Sequence, residues 1–179
     1  MPDFAFDFDP ADHLTVGTIG EPGHRTFFLQ AGRGIEFVTM ICEKEQMRAL
    51  GEGLLSLLDQ IAEVFHRPTE DPDEPIDFEL VHPLVPAWRI AQLGVGYDDE
   101  EDVIVIVAQE LVERGQRPEL ARFIISREHA RALAYHVLRV VAAGRPTCPL
   151  CGEPWTPADT SVLPPTDTAS CMSNEPGSR

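Results

Sequence analysis

A chain of 179 residues, 43% hydrophobic and 25% charged, is long enough for one domain with its own core and too apolar for a disordered or fibrous class. Thirty acidic residues against fourteen basic ones leave a formal charge of −16. The arginines from Arg114 to Arg145 are interleaved with other residues rather than gathered on one face, so no nucleic-acid partner is expected, and a protein partner is.

The N-terminus, Met1-Pro2-Asp3-Phe4-Ala5-Phe6, has no basic lead and no long apolar run, and no stretch approaches the roughly 18 apolar residues of a spanning helix. No membrane association is expected, and the expected compartment is the cytoplasm. Thiols there stay reduced, which makes the four cysteines metal ligands or core residues rather than a disulfide framework.

Phe4, Phe6 and Phe8 alternate with small or acidic residues, the period of a half-buried strand. Strands over Leu14 to Gly20 and Thr26 to Ala31 meet across the turn Glu21-Pro22-Gly23-His24. A further strand, Ile35 to Cys42, leads into a helix with Met47, Leu50, Leu54, Leu57, Leu58 and Ile61 on one stripe. Gly51 and Gly53 weaken that helix by about 1 kcal/mol each relative to alanine, so close packing against the sheet is expected there.

Residues 67–77 hold three prolines and a run of carboxylates and read as an acidic linker or exposed loop. The pattern then restarts, with a strand over Trp88 to Gly96, a polar turn over Tyr97 to Asp102, and a continuous apolar strand, Val103 to Ala108, expected to be buried on both faces. A strand over Leu120 to Ile125 enters a second helix at the N-cap Ser126, with Ala130, Leu133, Val137, Leu138, Val140 and Val141 as its stripe and Gly144 and Pro146 as its stop.

At a constant offset, Glu43-Lys44-Glu45-Gln46-Met47-Arg48-Ala49-Leu50 falls on Ser126-Arg127-Glu128-His129-Ala130-Arg131-Ala132-Leu133. The strands upstream match with a gap. A duplicated β-β-β-α unit follows, with halves at about 1–66 and 78–146. The expected fold is α+β: a two-layer sandwich of mainly antiparallel sheet with both helices on one face and a pseudo-two-fold axis relating the halves. Residues 147–157 form a separate cysteine knuckle, and residues 158–179 are expected to be a disordered tail unless a metal ties Cys171 back.

Cys148-Pro149-Leu150-Cys151-Gly152 is the one sharp local motif, since two thiolates spaced by two residues before a glycine fit tetrahedral zinc. Cys171 supplies a third ligand, but Asn174 follows where a fourth thiolate is due, and no histidine occurs after His136. Zinc held by Cys148, Cys151, Cys171 and a distant group, zinc shared between two chains, and a relic that binds nothing all remain open. A redox dithiol fits poorly, because Pro154 and Pro157 deny the helix that such a motif opens.

The segments Phe8-Asp9-Pro10, Gly17-Thr18-Ile19-Gly20-Glu21-Pro22-Gly23, Arg25-Thr26-Phe27-Phe28-Leu29-Gln30-Ala31 and Ala142-Ala143-Gly144-Arg145-Pro146, with the knuckle after them, resemble an uncharacterised actinobacterial family, the domain of unknown function numbered three thousand and ninety. The resemblance spans residues 4 to about 157 and implies no activity. It also implies a tail closed by a His-x-Cys pair, which this chain lacks.

His129 and His136, seven apart on the second helix, lie about 10.5 Å apart along its axis, too far to share one metal unaided, and read as rim histidines. His13, His24, His66 and His82 lie beside turns. Asp98-Asp99-Glu100-Glu101-Asp102 lacks the order of a calcium loop and reads as a solvated hairpin tip, and Cys42 reads as core. The absence of a complete catalytic constellation points to a non-catalytic interaction or regulatory module. Two alternatives are an enzyme whose site lies between the halves, with Arg25, Glu45, His129 and Arg131 converging, and a metal or thiol sensor built on the knuckle.

Overall fold

A computed structural model describes residues 3–21 and 23–143. The cysteine knuckle, Cys171, the tail and the proposed stop at Gly144 and Pro146 lie outside them. The elements below belong to the unit Met1–Ala142. In chain order they are β1 (Phe6–Phe8), β2 (His13–Ile19), β3 (Thr26–Arg33), β4 (Glu36–Cys42), α1 (Lys44–Phe65), β5 (Pro86–Asp98), β6 (Val103–Glu110), β7 (Leu120–Ser126) and α2 (Arg127–Ala142). The fold is α+β, with a mostly antiparallel seven-stranded sheet ordered β1-β7-β6-β5-β4-β3-β2 and two helices packed on it.

The β-β-β-α order occurs twice, as β2-β3-β4-α1 and β5-β6-β7-α2, and the copies exchange their helix contacts, α1 packing on β5 and α2 on β2. β4 and β5 run parallel, and the remaining neighbours within each half are antiparallel. β2 and β5 therefore point the same way, and one half maps on the other by a three-strand step along the sheet. β4 leaves through α1 and the chain returns beside it as β5, a crossover long enough to permit the parallel pairing.

α2 touches β2 as well as β6 and β7, strands far apart in the sheet order, so the sheet curls around the helix pair. The segment between β1 and β2 holds the curl: Ala11 N donates to Ile124 O at 2.8 Å and Asp12 N to Gly32 O at 3.0 Å. The enclosed core includes Leu14, Leu29, Met40, Met47, Leu54, Ile106, Phe123 and Leu133, all fully buried.

Two expectations about packing change. β6 is buried on one face only, with Ile104, Ile106 and Ala108 toward the helices while Val103, Val105 and Val107 stay partly exposed. Gly51 packs against the second helix rather than the sheet, and Gly53 alone looks toward a strand, where a Cβ would meet Val95 at 3.8 Å.

The segment between α1 and β5 has no regular structure, yet it is anchored at many points. Arg127 donates to the Arg67 and Pro68 carbonyl oxygens at 3.1 and 3.0 Å and to Thr69 Oγ1 at 3.2 Å, and Arg131 holds Asp71 at 2.8 Å. Farther on the segment covers the face of β2 and β3 away from the helices. Thr15 Oγ1 donates to Phe78 O at 2.6 Å, while Gln30 donates to Val81 O and accepts from Val81 N at 2.9 and 2.7 Å. These bonds satisfy the buried Thr15 and Gln30 side chains, which would otherwise oppose folding.

Candidate functional site

Among the described residues, an open binding geometry arises where the parallel pair β4 and β5 separates. β4 pairs with β5 only from Thr39 to Ile41, opposite Pro86 to Arg89; it ends at Cys42 and turns into α1, while β5 continues to Asp98. Beyond Arg89, β5 bonds to β6 along one edge, and no strand among the described residues flanks the other. Backbone donors and acceptors along an unflanked edge are free to pair with another chain.

Gln46 closes the near end of that edge. Its Nε2 donates to the carbonyl oxygens of Ile90 and Ala91, both at 3.1 Å, while its Oε1 accepts from Glu43 N at 2.9 Å at the start of α1. Two successive carbonyls can face one side chain because the β5–β6 register shifts between Ile90 and Gln92, the signature of a bulge. Past Gln46 lies a cleft of about 280 Å³, walled by Ala49 and Leu50 of α1 and by Ala91, Gln92, Leu93 and Val95 of β5. Small residues at Ala49 and Gly53 keep α1 from filling it, and both are solvent-accessible to some degree.

Acidic groups lie near the cleft in sequence, on α1 and at the far end of β5. Glu45 and Glu52 are exposed one turn either side of Ala49; Glu45 pairs with Arg48 at 3.4 Å, and Glu52 makes no ion pair among the described residues. At the far end of β5, Asp98 Oδ1 accepts from the backbone of Glu100 and Glu101 at 3.0 and 3.2 Å. At the near end Arg89 pairs with Glu43.

The residues expected to converge between the halves do not meet. Glu45 stays on α1 with Arg48, Arg131 holds the segment after α1, His129 faces Phe78, and Arg25 lies in the β2–β3 turn. No cluster of His, Cys, Asp or Glu suited to a metal occurs among the described residues. Cys42 is buried and free, and burial pushes its thiol well above the usual range. Cys148, Cys151 and Cys171 lie outside the described residues.

Three histidines are more deeply engaged than their sequence positions imply. His136 Nε2 bonds Val16 O at 2.7 Å on the outer strand β2, and its ring stacks on Phe78 with centroids 4.5 Å apart. Arg139 donates to His136 Nδ1 at 3.2 Å, so Nε2 carries the proton and the ring is neutral. His129 meets Phe78 edge-on at 6.1 Å, and its Nε2 is buried without a hydrogen bond, as is that of His13. Burial lowers all three; Val16 opposes it at His136, the Leu14 backbone at His129, and Gln30 with Asp77 at His13.

The acidic tip is likewise more than a solvated turn. Asp102 takes Arg127 in a two-point contact, Nε at 2.8 Å and Nη2 at 3.2 Å, and accepts from Tyr97 Oη at 2.6 Å. The Tyr97 hydroxyl, partly offset by burial, holds the Asp102 carboxyl below its ordinary range. Arg67 completes the group through Tyr97 Oη at 2.8 Å. These charges are occupied in anchoring the chain after α1.

Sequence reasoning missed the cleft. The mismatch lies in the strand lengths, 7 residues in β4 and 13 in β5, whereas the apolar runs Ile35 to Cys42 and Trp88 to Gly96 read as nearly equal. No curated protein and no solved structure matches the chain. A family model does match over residues 6–161, and the chain belongs to that family, described as Protein of unknown function (DUF3090).

Proposed function

We propose that the protein is a non-catalytic interaction or regulatory module that receives an extended segment of a partner along the open edge of β5. The observation that carries this reading is the strand mismatch: β5 outruns β4 beside a cleft walled by α1. Strand addition of this kind draws affinity from main-chain bonds and selectivity from pockets for alternate side chains, and edge and cleft supply one each. The engagement of Asp102, Arg127, Arg131 and His136 in holding the fold supports a non-catalytic role.

A photo-crosslinking amino acid placed at Gln92 and expressed in the native cell tests the reading. The expected result is a discrete adduct of higher mass that disappears when Ala49→Leu fills the cleft. Absence of any adduct, or one that persists in the Ala49→Leu background, contradicts it.

A further inference from the structure

Resting on that reading, we infer that the occupant is a cationic, extended segment of another protein that adds to β5 as a strand, with apolar side chains at alternate positions and basic residues flanking them. Three observations lead there. The cleft, about 280 Å³, has β5 itself as one wall, so side chains attached to a backbone lying along β5 can enter it.

The two sides of an added strand would meet different surroundings. Side chains directed toward the helix layer enter the space between Leu93, Val95 and Ala49, whose lining is aliphatic. Those directed the other way emerge beside Gly94 and Gly96, where a Cβ on either glycine would find nothing within 4 Å among the described residues. Selection therefore falls on every second residue of the occupant and is absent between them.

Charge fixes the ends. Glu45 and Glu52 are exposed on α1 one turn either side of Ala49, the exposed Asp98 to Glu101 close the far end, and the chain carries −16 overall. A second copy of so acidic a chain is repelled, whereas lysine or arginine beside the apolar positions meets Glu52, which has no ion-pair partner among the described residues.

Selection of a random heptapeptide phage library on the immobilised full chain tests this directly, with Ala49→Leu and the double variant Glu45→Lys, Glu52→Lys selected in parallel after circular dichroism has confirmed their fold. The expected result is enrichment of peptides alternating apolar residues with others and carrying lysine or arginine, with affinity falling about tenfold or more in either variant. Peptides lost on Ala49→Leu but free of basic residues overturn the partner chemistry while leaving the cleft as the binding site. Peptides that survive Ala49→Leu, or no enrichment at all, overturn both. A concentration-dependent dimer in sedimentation that Ala49→Leu abolishes assigns the edge to a second copy and overturns the inference.

Discussion

Gly51 of α1 lies directly against Leu138 of α2: a Cβ on the glycine would stand 2.9 Å from Leu138 Cγ and 3.3 Å from the Ala134 carbonyl oxygen. This contact sets how closely the two helices approach and so how tightly the sheet curls around them. Gly51→Val should destabilise the fold by about 1–3 kcal/mol through overpacking. Gly53→Ala, two residues on and meeting only Val95 at 3.8 Å, should stabilise it by about 0.5–1 kcal/mol. Urea titrations of the two variants are expected to move the midpoint in opposite directions.

Arg127 is the least exposed guanidinium of the recorded ion pairs, and it joins α2 to Asp102 and to three successive residues after α1. Arg127→Ala should cost about 2 kcal/mol, since several charge-assisted bonds are lost and Asp102 is left without its main partner. Arg127→Lys should recover little of this, because a point charge cannot reproduce the two-point contact. Arg67→Ala, whose group is solvated, should fall well short of Arg127→Ala. Thermal melts of the three variants at one ionic strength check the ranking.

Acidification should loosen the seam between α2 and β2. His13, His129 and His136 all have folded values below the ordinary 6.5, so below that pH the unfolded chain binds protons that the folded chain does not. Stability is full above pH 6.5 and is lost as pH falls from there toward the lowered folded values. At His136 the incoming proton must take Nδ1, displacing the Arg139 donor and setting two cations side by side. Urea midpoints measured at half-unit steps between pH 7.5 and about 5 should decline for the wild type and decline less steeply in His136→Gln, where His13 and His129 remain; an unchanged slope in that variant would remove the assignment.

The two halves offer an internal comparison. Gly17, Phe28 and Ile41 form one row across the first, and Gly96, Val105 and Ile124 form the corresponding row across the second. Leu80 covers the first row so closely that a Cβ on Gly17 would lie 2.5 Å from its Cδ1, while Gly96 is open. Gly17→Ala should therefore lift the segment around Leu80 and speed amide exchange at Val81, whose N–H is held by Gln30. Gly96→Ala should leave that exchange rate unchanged.

The elements and their order were legible because each half writes its own period. Phe6 and Phe8 either side of Asp7 mark a one-faced strand, and Met47, Leu50, Leu54, Leu58 and Ile61 mark a helix stripe, whereas the unbroken apolar run Val103 to Ala108 reads the same whether one face or both is covered. Ser126 as the start of α2 was readable for the same reason: its Oγ accepts from His129 N at 3.2 Å, a bond available only to a short polar side chain at that position. The parallel join between the halves was not readable, since local pattern is identical whether β4 and β5 pair in parallel or antiparallel.

The histidine seam escaped for a related reason. His13 and His136 are far apart in sequence, and only the curling of the sheet brings β2 beside α2. Residues 67–77 were read as a linker from their prolines and carboxylates, and they do lack regular structure, but nothing local announces that Arg127 and Arg131 grip that chain. The cleft escaped because an open strand edge is defined by what fails to lie beside it.

Residue-resolved amide exchange along β5 in the free protein tests the open edge most directly. Between Gln92 and Tyr97 the amides directed at β6 should be protected and the intervening ones should exchange about tenfold faster or more, giving an alternating pattern. Uniform protection along the strand would mean that its second edge is already paired, and the binding role assigned to it would fall.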